Sequence, residues 1–468
     1  MLPTKRLRLF ITCVFICSSL SAIAQNQPEV WLTKADRSVL FARQVSKLSF
    51  TAGKNNLPTI TVNDKETYQP IDGFGYALTG GSAQHIIKMS APARTALLKE
   101  LFATDGNNIG VSYIRLSMGA SDLNEKVFSY NDLPEGETDL EQKKFDLGLD
   151  KFDVIPVMKE ILAINPEIKI MGSPWSPPLW MKTTYDARGG MLRPEYYEAY
   201  AKYFVKYIQE MKKEGITIDA ITVQNEPLHP GNNPSLLMVA PDQALFVKKN
   251  LGPAFEKAGI KAKIIIYDHN ADRPDYPISI LDDKEARKYI DGSAFHLYGG
   301  KIEALTDVHN AHPDKNIYFS EQMVVERPGS SIINIINPVS RLIIGATRNW
   351  ARNVLEWNLA ADQENKPFTD RGGCPTCQGA VTIDKDNVSR NIAYYSVAHA
   401  SKFVRPGSVR VASNELANLS NVAFKTPDGK KVLIVANIGK EHAFFNIKYN
   451  GKILAVNLDK GDVATYIW

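Results

Sequence analysis

Apolar and polar positions follow two alternating patterns along the middle of the chain. Eight short runs rich in β-branched and aromatic residues predict strands, at residues 71–78, 111–118, 168–175, 219–227, 262–270, 292–299, 316–323 and 353–360. Longer segments of helical period separate them. Eight alternations over about 300 residues predict an α/β fold, a (β/α)8 TIM barrel. A doubly wound open sheet is the alternative. It requires a glycine-rich phosphate loop, and the glycines of residues 73–81 have the wrong spacing for one.

The clearest helix candidate spans residues 194–215, with proline at its first position and glycine at its last. Its apolar side chains recur at spacings of three and four and form one stripe: Tyr197, Tyr200, Phe204, Tyr207 and Met211. Residues 91–103 and 242–259 show the same pattern. The stripes predict helices that pack on a central sheet.

Both ends of the chain lack helical period. Residues 421–439 predict two strands joined by a hairpin turn at Pro427-Asp428-Gly429. We therefore expect a small β-sandwich built from residues 25–70 and 396–468, packed on a catalytic barrel at residues 71–395.

Residues 1–24 are typical of a secretory signal peptide, with a basic start, an apolar core and Ala22-Ile23-Ala24 before Gln25. A membrane anchor is the alternative, but the apolar core is too short to span a bilayer. Lipid attachment at Cys17 is disfavoured because bulky residues precede it. The pattern predicts an exported protein, periplasmic or extracellular, with no membrane span.

The charge balance and the cysteine content argue against several classes of function. The full chain has a net charge of +4. Without the three basic residues of the leader, 52 Lys and Arg remain against 51 Asp and Glu, which argues against a nucleic-acid partner. Cys374 and Cys377 lie in "GGCPTCQG". A zinc site is disfavoured because it needs four ligands and no second Cys or His pair accompanies the motif, and a thioredoxin-like motif is disfavoured because it should open a helix. A local disulfide is the favoured interpretation. The histidines are scattered, so no metal site is predicted.

Two glutamates end predicted strands on opposite sides of the barrel mouth. Glu226 ends the fourth strand and Glu321 the seventh. Two opposed carboxyl groups at this face are the catalytic groups typical of glycoside hydrolysis, in which one is protonated and the other is ionised. Arg115 ends the second strand and can hold one of them ionised by direct pairing. The glutamate with less cationic support would keep a raised pKa and act as the acid, and the sequence does not say which it is.

Aromatic residues accompany the two carboxylates. Trp175, Trp180 and Trp357 lie at or just beyond strand ends. Each alone is more often a packing residue, but three around one rim suggest stacking platforms for sugar rings. His296 and Tyr298 end the sixth strand, where a structural role and a functional role are equally consistent with the sequence.

Motifs along the whole mature chain resemble glycoside hydrolase family thirty. They are "VWLTKADRSVLF" (30–41), "YQPIDGFGYALTG" (68–80), "IRLSMGASDLN" (114–124), "SPWSPPLWMKT" (173–183), "VQNEP", "FHLY", "FSEQ", "EWNLA" and "YYSVAHASKFVRPGSVRV" (394–411). This family includes acid β-glucosidases that cleave glucosylceramide and β-1,6-glucanases. One departure is "LTGG" (78–81), where members often have an acidic residue after the threonine.

The resemblance implies a role for each matching residue. Glu226 would be the acid/base and Glu321 the nucleophile of a retaining mechanism without a cofactor. Asn225 would bind the 2-hydroxyl of the glucose in the site. The remaining candidates fall in two groups: Asp122, Trp175, Trp357 and Trp180 as substrate contacts, and Arg115, His296 and Tyr298 as residues that position the carboxylates.

The resemblance also favours β-1,6-glucan as the substrate, with glucosylceramide as the close alternative and a non-catalytic sugar-binding protein as a distant one. The loop around Cys374 and Cys377 is more similar to the polysaccharide-cleaving branch. The sequence leaves endo or exo action and the oligomeric state open.

Overall fold

The structure, a computed structural model, describes residues 27–45, 47–326 and 329–468. The predicted signal peptide at residues 1–24 lies outside the described residues. Within them, no helix is long and apolar enough to cross a membrane. Three strands precede the barrel: β1 (Glu29–Thr33), β2 (Ala42–Gln44) and β3 (Thr59–Pro70).

Eight strands close into a parallel barrel, each pairing with its neighbours in chain order and the last with the first. They are β4 (Gly73–Leu78), β5 (Tyr113–Ser117), β6 (Lys169–Ser173), β7 (Ala220–Thr222), β8 (Lys263–Ala271), β9 (Ile290–Gly300), β10 (Asn316–Glu321) and β11 (Ala351–Asn358). All eight lie within the predicted runs or overlap them, which confirms the barrel.

Side chains fill the barrel interior in a layer. Seven strands contribute one buried residue each: Tyr113, Met171, Ala220, Ile265, Ala294, Tyr318 and Leu355. The eighth, β4, contributes Gly75, which is in register with Tyr113 and Leu355. A Cβ on Gly75 would lie 1.9 Å from the Tyr113 carbonyl oxygen, so glycine is required where the strands approach most closely.

Helices cover the outside of the barrel. They are α1 (Gly80–Lys88), α2 (Ala91–Phe102), α3 (Val154–Ile164), α4 (Tyr197–Lys213), α5 (Ala240–Phe246), α6 (Gly252–Ala258), α7 (Asp275–Asp282), α8 (Lys284–Arg287), α9 (Ala304–Ala311), α10 (Ile336–Pro338), α11 (Gly345–Arg348) and α12 (Ile392–Ser401). The predicted aromatic stripe of α4 is buried throughout. The helix predicted at 242–259 begins at Ala240 and contains a π-helical turn at Val247–Leu251.

The remaining strands follow the barrel. They are β12 (Ala360–Ala361), β13 (Val381–Asp384), β14 (Asn387–Arg390), β15 (Val409–Ser413), β16 (Leu419–Lys425), β17 (Lys431–Asn437), β18 (Ala443–Tyr449), β19 (Lys452–Leu458) and β20 (Val463–Ile467). The first three form a small sheet. The others join the N-terminal strands in the order β19-β18-β3-β15-β16-β17-β20-β1-β2. The prediction of a β-sandwich from both chain ends is confirmed.

Helix α12 connects the barrel to the β-sandwich. Ser396 donates to Glu356 of β11 at 2.5 Å, and His399 contacts Thr33 of β1 and Thr465 of β20 at 2.8 and 2.9 Å. The predicted domain limit between residues 395 and 396 therefore falls inside a helix that contacts both units.

Candidate active site

A cavity of about 250 Å³ opens at the C-terminal ends of the barrel strands. Nine residues named from the sequence line it: Asp122, Trp175, Asn225, Glu226, Tyr298, Glu321 and Trp357 as site residues, and Cys374 and Cys377 as a disulfide. Four others complete the wall: His229, Asn232, Asn270 and Met323.

Strand periodicity explains why polar side chains underlie this cavity. Because side chains alternate faces along a strand, the inward positions lie two residues beyond the apolar layer. Five of the eight are polar, Arg115, Ser173, Thr222, His296 and Ser320, and the other three are Ala77, Tyr267 and Trp357. The barrel core therefore changes from apolar to polar within one layer, and that polar layer holds the carboxylates.

Arg115 is fully buried and connects several members of this layer. Its Nη1 donates to Glu321 Oε2 at 2.5 Å, and its Nη2 donates to Asn225 Oδ1 and Asp268 Oδ2 at 2.8 Å. The guanidinium carbon lies 4.8 Å from the centre of the Trp175 ring. Arg115 thus pairs with Glu321 directly and contacts no oxygen of Glu226 among the bonds described.

His296 supports the other glutamate. Its Nδ1 lies 3.2 Å from Glu226 Oε1 and 3.7 Å from Glu321 Oε1, and its Nε2 lies 3.1 Å from Asp268 Oδ1. Burial lowers the pKa of His296, but the charges of Glu321, Asp268 and Glu226 outweigh it and raise the pKa to about 10. His296 is therefore a cation that donates from both ring nitrogens.

Asp268 is a member of this network that the sequence interpretation missed. It is fully buried and accepts from Arg115, His296, Thr222 and Ser320. Burial opposes its ionisation, but Arg115 and His296 lower its pKa far below the usual range.

A bulge in β8 brings Asp268 into the interior. The inward position of Ile265 places Asp268 on the outer face if the strand alternates regularly. Instead the pairing with β9 shifts register between Tyr267 and His269, and both Tyr267 and Asp268 have φ near +70° (70° and 67°). No pattern in the sequence predicts this shift.

Glu226 also has a left-handed backbone, with φ of 44°, an unfavourable conformation for a residue other than glycine. Its amide donates to the Asp268 carbonyl at 2.9 Å, and Asn232 Nδ2 lies 3.3 Å from its Oε2. The neighbouring elements hold this strained residue in place, as is common at functional sites.

Burial and the nearby cations act in opposite directions on the pKa of each glutamate. Burial raises the pKa of Glu321 above its usual range, and Arg115 and His296 oppose this rise. Burial also acts on Glu226, but the hydrogen bond from His296 lowers its pKa. Glu226, the carboxyl without an arginine partner, was expected to keep the higher pKa, but the hydrogen bond from His296 lowers it.

Other predicted residues complete the site. The Tyr298 hydroxyl donates to Glu321 Oε1 at 3.0 Å and accepts from the Met323 amide at 2.9 Å. Trp175 and Trp357 stack with ring centres 5.3 Å apart. Burial, with the charges of the two glutamates, raises the pKa of Asp122 well above its usual range.

The prediction that Trp180 contacts substrate is not supported by its position. It lies in a short 3-10 helix (Leu179–Met181), is 5% exposed, and belongs to the large hydrophobic core. Its Nε1 donates to the Asn131 carbonyl at 2.9 Å. Five residues beyond Trp175, the chain has already turned away from the cavity, so Trp180 packs beneath it.

The cysteines lie in the cavity wall. Cys374 and Cys377 are joined as a disulfide, and Cys377 Sγ lies 3.4 Å from Met323 Sδ. Cys377 packs in one apolar cluster with Trp175 and Trp357. The disulfide therefore forms part of the cavity wall beside the two tryptophans.

Glu226, His296 and Glu321 place one potential metal ligand atom each within 4.8 Å of one another. The imidazolium of His296 uses both nitrogens as donors, which leaves only two carboxylates able to ligate. This donor set is better suited to proton transfer than to a resident ion.

Comparison with known proteins gives consistent matches over the chain. The profile of the glycosyl hydrolase family 30 TIM-barrel domain matches residues 71–404, and that of the family's beta sandwich domain matches residues 407–466. The endo-1,6-beta-D-glucanase of Neurospora crassa is 31% identical over 467 residues, 95% of each chain. The lysosomal acid glucosylceramidase of Mus musculus is 28% identical over 440 residues, 87% of this chain and 83% of its own.

A solved structure, the endo-beta1,6-glucanase BT3312, superposes with a TM-score of 0.87 at 34% identity, covering 94% of this chain and 99% of that chain. Sequence and structure comparisons thus agree on both parts of the molecule.

Proposed function

The chain belongs to glycoside hydrolase family 30, and from this premise we propose that it is an exported retaining hydrolase of β-1,6-glucan. Membership confirms the resemblance drawn from the sequence motifs and makes the protein a glycoside hydrolase. One observation carries the retaining mechanism: two carboxylates with oxygens within 4.8 Å share one cavity, with an arginine on one and a histidine on the other.

We assign the nucleophile to Glu321. Arg115 and Tyr298 hold its two oxygens from different sides, which fixes the direction from which one oxygen can attack an anomeric carbon. Arg115 favours the ionised form that attack requires. For retention, the carboxyl carbons of Glu226 and Glu321 should lie about 5–5.5 Å apart.

We assign the acid/base to Glu226. The His296 ring carries the proton, and its Nδ1 lies 3.2 Å from Glu226 Oε1. A bound sugar that excludes water disfavours the charged pair and favours the neutral one, which moves the proton to Glu226. The Nε2–H of His296 can stay bonded to Asp268 during this transfer.

The reaction then follows two displacements. Glu226 protonates the glycosidic oxygen while Glu321 attacks the anomeric carbon, and the bond to the leaving sugar breaks. Glu226, now ionised, takes a proton from water, which attacks the glycosyl-enzyme and releases Glu321. Asn225 Oδ1 is held by Arg115, so its Nδ2 is free to donate to a sugar hydroxyl.

The substrate proposal rests on the relatives. Proteins named endo-1,6-beta-glucanases match at 31% and 34% identity over 94–95% of this chain, and the mouse glucosylceramidase matches less of it at 28%. We therefore propose β-1,6-glucan first and glucosylceramide second. Export is proposed from the predicted leader, so the mature protein should begin at or near Gln25.

The test separates the two glutamates by azide rescue on an activated aryl β-glucoside. A nitrophenolate leaves without protonation, so the Glu226→Ala variant should still form the glycosyl-enzyme but hydrolyse it slowly, since no base activates water. Azide needs no base, so it should restore turnover and yield the β-glucosyl azide. Product analysis by NMR reads the anomeric configuration.

The Glu321→Ala variant is the matched control. It should yield α-glucosyl azide if rescued at all, because azide then replaces the nucleophile itself. Rescue of the Glu226 variant to the α-azide, or no rescue of that variant, contradicts the assignment. A parallel product profile on β-1,6-glucan, laminarin and a glucosylceramide analogue tests the substrate.

A further inference from the structure

A second cavity of about 360 Å³ lies on the same face of the barrel. It is lined by the loops that follow β5, β6, β7 and β11, and its principal side chains are Phe128, Asp132, Leu179, Tyr185, Asp186 and Arg371. The C-terminal ends of barrel strands carry the binding surfaces of this fold, so the cavity lies on the face where ligands bind.

The two cavities share a wall. Trp175 lines the first cavity and Ser176 the second, and successive Cα atoms are about 3.8 Å apart. In the same way, Asn232 lines the first cavity and Pro234 the second, and Cys374 lines the first and Arg371 the second. A polymer bound in the first cavity therefore has to extend only past the loops that form this wall to reach the second.

The lining suits a neutral sugar. Tyr185 lines the cavity and is 40% exposed, and its hydroxyl donates to the Leu133 carbonyl, so the ring is held in place where a sugar can contact it. Asp186 is paired with Arg371 at 3.0 and 3.1 Å, and together with Asp132 these planar groups offer donors and acceptors for hydroxyls. Because the lining carries both negative and positive side chains, it favours neither an anionic nor a cationic polymer.

Lys182 makes this cavity rigid. It is 3% exposed, and its Nζ donates to Ser176 Oγ at 3.0 Å, to the Ala187 carbonyl at 2.7 Å and to the Ser235 carbonyl at 2.9 Å. Ser176 and Ala187 line the second cavity. Through its Nζ, Lys182 thus ties the loops after β6 and β7 together, which preorganises the wall that both cavities share.

We propose that the second cavity is a distal subsite that binds glucosyl units of the same glucan chain whose scissile bond lies at Glu226 and Glu321. The inference rests on the proposed function and extends it, because a subsite away from the catalytic pair favours attack within a chain over removal of single terminal units. Tyr185 is the stacking residue and the Asp186–Arg371 pair supplies the polar contacts.

The test compares the Tyr185→Ala variant with the wild type on β-1,6-linked gluco-oligosaccharides of increasing length and on 4-nitrophenyl β-glucoside. In the wild type, kcat/KM should rise with chain length until the distal subsite is filled. In Tyr185→Ala, kcat/KM on long oligosaccharides should fall about fivefold to tenfold, while that on the aryl glucoside should stay within about twofold.

Two controls keep the test decisive. Tyr185→Phe keeps the ring and should retain the length dependence, and Phe444→Ala removes an aromatic side chain of similar exposure (58%) on the β-sandwich and should change nothing. Unchanged length dependence in Tyr185→Ala overturns the subsite, as does an equal loss in Tyr185→Phe or Phe444→Ala. A wild type that cleaves none of the β-1,6-linked series overturns the proposed function, and the subsite with it.

Discussion

The two ends of the barrel both carry charged side chains, but they differ in how the charges are matched. At the N-terminal end two carboxylates, Asp72 and Asp219, each pair with a different cation. Asp72 accepts from Arg352 at 2.8 Å, and Asp219 accepts from Lys169 at 2.9 Å. These pairs are half-buried and reachable by water, which limits their contribution to stability to about 1 kcal/mol each.

At the C-terminal end three carboxylates share two cations. Glu226, Glu321 and Asp268 lie around Arg115 and His296, all of them buried. With His296 counted as a cation one negative charge is left over, and the proton that His296 carries lies within hydrogen-bond reach of Glu226. At the N-terminal end, a separate cation for each of the two carboxylates stabilises the barrel. At the C-terminal end, three carboxylates share two cations, and this arrangement allows a proton to move.

The largest expected effect is at Glu321. The Glu321→Gln change keeps the shape but removes the oxygen that forms the glycosyl-enzyme. We expect activity to fall by about 10⁴-fold or more on every substrate, whatever its leaving group. Initial rates on aryl glucosides of graded leaving-group pKa measure this, and a loss confined to poor leaving groups would contradict the nucleophile assignment.

A smaller effect is expected at Asp268, and it tests the sharing of cations. Asp268→Asn removes one of the three negative charges, with those of Glu321 and Glu226, that together raise the pKa of His296 to about 10. That pKa should fall, and the basic limb of the kcat/KM profile should move to lower pH, with a loss of about 10–100-fold near neutral pH.

The matched control is Asp219→Asn at the opposite end of the barrel. It breaks the pair with Lys169 and should lower stability slightly while leaving the pH profile of kcat/KM in place. An equal displacement of the basic limb in both variants would show that Asp268 acts through overall stability and not through His296.

The disulfide should matter less for catalysis. Cys374 and Cys377 border the cavity beside Met323, so their replacement by serine should loosen this wall without touching the carboxylates. We expect a loss of a few-fold in activity, and thiol labelling of native, unreduced enzyme should find no free cysteine. Two reactive thiols in the native enzyme would contradict the disulfide.

The smallest effect on activity is expected at Glu356, which faces α12 and not the cavity. Burial raises its pKa to about 8, against an ordinary value near 4.5. Since the folded state then binds the proton more tightly, stability should decrease as pH rises from about 4.5 to 8.

Glu356→Gln removes this dependence. The variant should gain stability relative to the wild type at pH 9, on the order of 1–3 kcal/mol, and little or none at pH 4. Denaturant unfolding at the two pH values measures the difference, with Ser396 still able to donate to the new amide oxygen. Equal effects at both pH values would contradict the raised pKa.

The sequence by itself determined the architecture. Strand and helix periods are local properties, so the eight barrel strands, the buried stripe of α4 and the β-sandwich all followed from spacing. The positions of Glu226 and Glu321 at strand ends also followed, because parallel strands of a barrel deliver their last residues to one face.

Only the tertiary structure decided how these residues are connected. It paired Arg115 with Glu321 and His296 with Glu226, brought Asp268 inward through a bulge, and placed Trp180 in the packing beneath the cavity. These outcomes depend on side-chain rotamers and on register shifts between strands far apart in the chain. Such features arise from long-range packing, and no local spacing in the sequence encodes them.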